Sequence, residues 1–531
     1  SGVNAYGRWA YGPWFWPPTN NVEYGPIANP YYEPDPTICD PETTWCEPQL
    51  MPGVPYNSMG MEAFMDTPVV NGAAYPTVTL QPKAYRFRIL NAANDRFFNL
   101  SLYKAVDANG AVCDAANTAP AAESTGVACT EVALNPDEVA AALDDPTVFP
   151  TPVAGTEGPS WIVMGTEGGF LPAPVVVPPH PTTWVNDPTV FNAGNVDQHS
   201  LLVAPAERFD VIVDLSAYAG QTLIVYNDAP AAFPARDPRY DYYTGNGDFR
   251  DSGGAPSTLP GYGPNTRTVM QIKVADTTPA PAFNLAALNE EFAGGDGTGV
   301  FEKGQKPIIV GQGEYNSAYG TSFPTNGPLN GTVQIYDTSL TFNRLVDPDA
   351  DTAPGAPFTT STAAERLTMD LKPKMIQDEM GEAFEPEYGR MSGFLGVETP
   401  NAQAGLQNMI LYGFVMPPTE VLDGLELPLG MEATPIASAD DGSQIWKFTH
   451  NGVDTHPIHF HLYDVQLLNR VGWDGILRKP ELTELGWKDT VRISPLEDTI
   501  VALRPIIPPI PEEWGGLPNS VRLLDPSMPA G

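Results

Sequence analysis

The sequence predicts an all-β protein built as tandem Greek-key β-sandwiches, and three features of it do so. Apolar–polar alternations of period two recur from about residue 64 onward, the spacing that sends successive side chains to opposite faces of a strand. The 58 prolines and 49 glycines among 531 residues are spread between those runs as single breaks, the pattern of turns joining short strands. Helical periodicity is nearly absent. At this length two or three domains are expected, and a hydrophobic content of 42% is enough to fill sizeable cores.

Taken in order, residues 1–60 form an extended lead-in rich in aromatics and proline, as in "YGRWAYGPWFWPPTNN", which suits packing over a neighbouring surface. Residues 61–275 carry the first sandwich. In "YPTVTLQPKAYRFRILNAANDRFFNLSLY", Tyr85, Phe87 and Ile89 face one way and Arg86, Arg88 and Leu90 the other. "WIVMGTEGGFLPAPVVV", "HSLLVAPAERFDVIVDLS", "QTLIVYND" and "TRTVMQIKV" supply its later strands. Residues 276–299 read as a linker. Residues 300–531 carry the second sandwich, with strands expected in "QKPIIVGQG", "TVQIYDTSLTFNRL", "RLTMDLKP", "SQIWKFTHNG", "HFHLYDVQLLNRV", "DTVRISP" and "DTIVALRP". Residues 375–432, with Met, Gly and Pro throughout, read as irregular.

The charge balance excludes two classes of partner. With 64 acidic against 27 basic residues and a net charge of −37, the chain repels nucleic acid and anionic membrane surfaces. No run approaches the ~20 apolar residues of a membrane span. Cys39 and Cys46, and Cys113 and Cys129, form two sequence-local pairs in polar loops. Two disulfides are expected there, and with them an oxidising, extracellular or cell-surface compartment. The chain opens at "SGVNAYGRW" without an initiator Met, which reads as an interior or processed piece of a longer, secreted product.

Histidine is where the chemistry concentrates. Of six histidines, four fall within Thr449–Arg470, "THNGVDTHPIHFHLYDVQLLNR". On a strand, His459 and His461 leave the same face, while His456, three residues earlier, leaves the other. Pro457 keeps the segment out of a helix. The spacing therefore suits two metal centres set back to back. Neutral imidazole serves copper, zinc, iron and nickel, with copper heading the affinity order; a single zinc site is the alternative if all three rings converge. His180, His199 and His450 stand apart and read as surface or loop residues.

"HPIHFH" resembles the His-Pro-x-His-x-His motif of the multicopper oxidases. The resemblance runs further: "DTPVVNGAAYPTVTLQPKAYRFRILNAANDRFFNLSL", "GTEGGFLPAPVVV" and "LLVAPAERFDVIVDLS" are similar to the family's middle cupredoxin domain, and "GWKDTVRISP" to the segment after the motif. Together they cover most of residues 60–500 in the family's order, and the chain most resembles the large bacterial secreted branch that includes manganese oxidases. The resemblance implies cupredoxin-like sandwiches, copper as cofactor, and an oxidoreductase coupling one-electron oxidation of a metal ion such as Mn(II), or of a phenolic, to reduction of O2 to water. It implies His456 as a ligand of a type 1 copper, and His459 and His461 as ligands of the type 2 and type 3 coppers of a trinuclear cluster.

The departures matter equally. The family uses four His-x-His pairs and a type 1 cysteine; this chain has one such pair, and none of its cysteines adjoins a histidine. The second sandwich is therefore expected to lack its closing, copper-binding strands, and a further polypeptide segment or partner chain to complete both the domain and the copper sites. The alternative is a non-catalytic cupredoxin-fold surface or filament protein with an incomplete copper site.

Overall fold

The computed structural model describes residues 67–107, 109–117, 129–190, 192–231, 233–249, 257–258, 260–261, 265–347, 356–371, 442–450 and 454–506, together with the backbones of six strands elsewhere. The architecture is all-β with few helices, and its first unit is a two-sheet sandwich. Strands β1 (Thr77–Leu80), β2 (Ala84–Leu90), β3 (Phe98–Val106), β4 (Trp161–Thr166), β5 (Gly169–Val177), β6 (Leu201–Val203), β7 (Arg208–Asp214), β8 (Thr222–Asn227) and β9 (Thr268–Val274) form it. One sheet has the order β6–β3–β8–β9–β1 and the other β5–β4–β7–β2. Pairing is antiparallel throughout except between β9 and β1, which are parallel. The chain crosses repeatedly between the sheets, as a Greek key requires.

The period-two alternation decides which face is buried. Tyr85, Phe87 and Ile89 turn onto a core made by Leu102, Trp161, Val163, Leu171, Val211, Val213, Leu223 and Ile272. Arg86 and Arg88 turn outward, where both meet Asp210 of β7. The expected disulfide Cys113–Cys129 is present, with a Cα–Cα distance of 5.8 Å, and both cysteines pack beside Tyr103, Ala105, Ile224 and Tyr226. Cys39 and Cys46, like nearly all of the lead-in, lie outside the described residues.

Four α-helices interrupt the β pattern among the described residues, and the two longest show why they form. Helix α1 (Pro136–Asp144) starts with Asn135 accepting a hydrogen bond from Asp137 N, proline in the first turn, and Asp137 and Glu138 at its positive end. Helix α2 (Leu285–Phe292) falls inside the segment 276–299. Asn284 caps it, accepting from Ala287 N, and its apolar side covers Ile162, Met164 and Ile212 on the outer face of the second sheet.

The second unit contains β10 (Ser339–Phe342), β11 (Leu367–Asp370), β12 (Gln444–His450), β13 (His456–His459), β14 (Tyr463–Gly472), β15 (Thr490–Ile493) and β16 (Glu497–Pro505). Strands β12, β16 and β14 lie side by side antiparallel, β10 pairs with β11, and β13 with β15. A bulge in β14 between Leu467 and Asn469 shifts the alternation by one, so Val465 and Leu467 face one core and Leu468 and Val471 the other. Leu468 joins the core of Leu340, Phe342, Met369, Ile445 and Ile500, and Leu467 joins that of Phe460, Val465, Val491, Ile493 and Val501.

Three readings of the sequence need correction. "QKPIIVGQG" forms no strand; Ile309 N and Val310 N donate to the side chain of Gln466, at 3.0 and 2.9 Å, and Gln466 Nε2 donates to Val310 O at 2.9 Å. A side-chain amide thus does what a ladder would have done. Within 375–432, Ile376–Glu385, Arg390–Pro400 and Gln407–Tyr412 pair as an antiparallel sheet; a register shift between Glu379 and Gly381 breaks the alternation that would have revealed it. "HFHLYDVQLL" is not one strand. β13 ends at His459, β14 begins at Tyr463, and Leu462 between them takes a left-handed φ of 62°. Residues 507–531, where the sequence reading places the unclosed edge, lie outside the described residues.

Candidate metal centre

Strand β13 is short and runs between two turns, and its register on β15 pairs His456 with Ile493 and His459 with Thr490. Ile458 faces the core beside Phe460 and Val465. By strand alternation His456 shares that side of the strand at its outer end, and His459 leaves from the other side. The three-residue offset therefore separates the two imidazoles.

His456 meets His450, the last residue of β12, with ring centroids 4.9 Å apart. Asp454 joins them: its Oδ1 lies 3.5 Å from His456 Nε2, and its backbone carbonyl accepts a hydrogen bond from His450 Nε2 at 2.5 Å. His450 was not expected here from the sequence, because five residues separate it from His456 and the local pattern does not show that the end of β12 lies beside the start of β13. A histidine two residues beyond an aspartate and six beyond another histidine, across a turn, is the signal that was available.

His459 meets His461, at 4.9 Å between centroids and nearly edge-on. His461 lies in the bend after β13, so a turn brings the rings together where the sequence suggested a shared strand face. His459 Nδ1 lies 3.1 Å from Asp489 O, 3.0 Å from Thr490 Oγ1 and 3.2 Å from Asp489 Oδ1. With three oxygens around it, Nδ1 carries the proton and donates, which leaves the lone pair on Nε2. A carboxylate or carbonyl on the far nitrogen is the arrangement that orients histidine ligands of metals. Asp489 is thus a positioning residue that the histidine pattern alone did not reveal.

Asp489 is in turn held by the first unit. Arg208 of β7 reaches it with both guanidinium nitrogens, Nη1 at 2.8 Å from Oδ1 and Nη2 against Oδ2. Beneath this pair lies a wholly buried ionic group. Lys488 Nζ sits 3.0 Å from Glu167 and 3.3 Å from Glu207, all three side chains being fully inaccessible. Arg492 approaches Glu207, Glu484 and Glu481 at 3.5, 3.1 and 3.3 Å, and Arg470 forks onto Glu484 at 2.8 and 2.7 Å. Burial opposes the charge on Lys488, but Glu167 and Glu207 outweigh it and hold its pKa above the ordinary value. Burial likewise opposes ionisation of Glu484, yet Arg470 and Arg492 take its pKa down to about 2. The two backbones approach closely here: a Cβ on Gly168 would fall 2.2 Å from the carbonyl carbon of Trp487, so only glycine fits.

The remaining histidines have local roles. His199 donates from Nδ1 to Ser200 O at 2.7 Å and bridges to Glu481 of the second unit at 2.9 Å. Burial disfavours its charged form, but the charge of Glu481 and its hydrogen bond prevail and raise the pKa. His180 Nδ1 lies 2.6 Å from the carbonyl of its neighbour Pro181.

The fold and the site define a class: an all-β sandwich protein with paired histidines near the meeting of two units. The model of the multicopper oxidase family matches residues 404–510, the stretch holding all four clustered histidines. Relatives are similarly named. The chain is 24% identical over 438 residues to a laccase of Haloferax volcanii, covering 82% of this chain and 42% of the relative. It is 25% identical over 178 residues to a laccase of Bacillus subtilis, covering 34% and 20%. Among solved structures, McoA multicopper oxidase of Aquifex aeolicus aligns with a TM-score of 0.34 and 16% identity over 87% of this chain and 57% of its own. The chain is thus similar to multicopper oxidases, most directly over residues 404–510, and it spans less than half the length of the laccases it matches.

The similarity to multicopper oxidases implies copper. The donor set fits it: His459 presents Nε2 with its lone pair outward and its other nitrogen anchored, and His461 stands beside it. Among the described residues no helix is long and apolar enough to cross a membrane.

Proposed function

We propose that this chain is part of a multicopper oxidase that couples one-electron oxidation of a small reducing substrate to reduction of O2 to water. The observation that carries this reading is the division of the histidines by β13, within the family-matched stretch, into His456 on one side and His459 with His461 on the other. In this reading the units 61–275 and 300–531 are consecutive cupredoxin-like domains. His456 would ligate a type 1 copper, and His459 and His461 a type 2 and a type 3 copper of a trinuclear cluster. Bound copper would take electrons one at a time and pass them to O2.

The chain's own residues have defined tasks in this scheme. Asp489 and Thr490 hold the proton of His459 on Nδ1, so Nε2 remains a ligand. Arg208 and the Lys488 group hold that strand against the first unit. Only Pro457 and Ile458 separate His456 from His459, a short covalent path for an electron. The thiolate and the further imidazoles would come from polypeptide outside residues 1–531, as a continuation of the chain or a partner. A net charge of −37 concentrates cations near the surface, which favours a metal ion such as Mn(II) over a neutral phenolic. The Cys113–Cys129 disulfide, the expected Cys39–Cys46 pair and the family resemblance favour an extracellular or cell-surface location.

One observation favours a second reading, a non-catalytic cupredoxin-fold surface or filament protein: the 531 residues hold a single His-x-His pair and no cysteine next to a histidine. The test is to isolate the full-length product from its source, measure copper, record the visible spectrum and follow O2 uptake with Mn(II) and with a phenol. The oxidase reading expects several coppers per molecule, an intense blue thiolate–copper band and substrate-dependent O2 uptake. A copper-poor product without the band and without O2 uptake would leave the second reading.

A further inference from the structure

We propose that His450, Asp454 and His456 form a mononuclear site for a divalent transition metal, complete within this chain and independent of the oxidase reading. The three residues offer two imidazole nitrogens and a carboxylate oxygen, and their ligand atoms all lie within 4.8 Å of one another. Donors bonded tetrahedrally at 2.0–2.1 Å stand about 3.3–3.5 Å apart. The pair His456 Nε2 and Asp454 Oδ1 is already at 3.5 Å, and side-chain rotation of about 1 Å would close the rest. All three residues are half-buried, so the site is open enough to admit an ion and a water ligand.

The backbone prepares this arrangement. β12 delivers His450 and β13 delivers His456, and both strands are fixed in sheets, to β16 and β15 respectively. The hydrogen bond from His450 to the carbonyl of Asp454 ties the first ring to the turn that carries the carboxylate. Little ordering is left for the metal to impose, and preorganisation raises affinity. Two nitrogens and one oxygen suit Cu(II), Ni(II), Co(II) and Zn(II), with Cu(II) held most tightly. The set is poor for Ca(II) and Mg(II), which take oxygen, and for Cu(I), which takes sulfur.

This site differs from the type 1 centre suggested for His456. It has a carboxylate where that centre has a thiolate. Both claims use His456, so a metal held here occupies the position until a thiolate is supplied.

The purified 531-residue chain is titrated with Cu(II), and separately with Co(II), in excess Mg(II) to occupy oxygen-only sites on the acidic surface. One equivalent, separate from any held by His459 and His461, should bind at this site with a weak ligand-field spectrum and no intense thiolate band. His450→Ala and Asp454→Asn should each weaken that equivalent at least about tenfold, while His461→Ala leaves it unchanged. Circular dichroism of each variant controls for folding, and Asp454→Asn, which keeps the shape of the side chain, decides if His450→Ala misfolds. Unchanged affinity in Asp454→Asn and His450→Ala, or equal loss in His461→Ala, would overturn the proposal. Failure of the oxidase reading would appear elsewhere, as absent O2 uptake in the full-length product with this equivalent still bound.

Discussion

The two ends of β13 hold two histidine pairs that are supported in different ways. At one end His450 and His456 close around Asp454, all within a single turn of the second unit. At the other end His459 and His461 depend on Asp489, which depends on Arg208 of the first unit, over a buried layer of Lys488, Glu167, Glu207 and Arg492. The first pair draws its partners from residues 450–456, and Thr455 N ties that turn to the first unit by donating to Phe233 O at 2.8 Å. The second is assembled by the meeting of two units. Damage to the Arg208–Asp489 and Lys488 contacts should therefore disable the second pair more than the first.

Lys488→Met breaks the comparison most severely. It leaves Glu167 and Glu207 buried beside each other without the cation between them, and removing one partner of such a group costs about 3–5 kcal/mol. A large drop in the denaturation midpoint is expected, with loss of metal at His459 and His461. Metal at His450, Asp454 and His456 should persist while the second unit stays folded. A midpoint within a degree of the parent would show that the buried layer carries little.

Asp489→Asn is the narrower cut. It removes the charge that faces Arg208 and weakens the brace on His459 Nδ1. Metal affinity at the His459 pair should fall about 10–100-fold, with no change at the other pair. Equal losses at both, by isothermal titration of each pair in a background lacking the other, would contradict the separation.

Acidification tests the boundary without mutation. Glu484 has its folded pKa lowered to about 2, and that of Glu481 lies well below the ordinary carboxylate value, because His199 and Arg492 outweigh the opposing effect of burial. Their contribution is full above the unfolded carboxylate range near 4.5 and is lost as pH falls towards 2. His199 has a raised folded pKa, so its contribution is full below about 6.5 and is lost as pH rises through the folded value. Stability across the boundary should decline on both sides, steeply in acid and modestly in alkali, and His199→Gln should remove only the alkaline limb. Thermal melts of both proteins over pH 3–9 read this out.

The smallest effect belongs to the bend between the paired rings. Leu462 is exposed and left-handed, with φ 62°, a conformation asparagine tolerates better than leucine. Leu462→Asn should gain a few tenths of a kcal/mol in chemical denaturation, with His459 and His461 undisturbed. A loss would mean that the leucine side chain packs usefully.

How much of this was legible follows from where each signal lives. The first sandwich was, because Tyr85, Phe87 and Ile89 alternate strictly with Arg86 and Arg88, and one face of each strand is buried. The separation of His456 from His459 was also legible, since parity is a local property of a strand. The proximity of His450 to His456 was not, because it depends on how the chain turns between β12 and β13. The role of Asp489 rests on Arg208, 281 residues earlier in the chain, and no local pattern encodes such a distance. Helix α1 was legible and overlooked: Asn135, Pro136, Asp137 and Glu138 spell a helix start. The sheet within 376–412 was hidden by a bulge that shifts the alternation by one residue.

The central claim is that β13 separates two metal centres. The direct measurement is imidazole nitrogen NMR of the chain labelled with 15N-histidine, titrated with Zn(II) and assigned by His→Gln substitutions. Six histidines give a spectrum simple enough to follow. The account predicts that His450 and His456 shift together in one binding phase, and His459 and His461 together in another. It also predicts that His450→Gln removes the first phase alone. All four rings shifting in a single phase, each lost when any one is substituted, would contradict it.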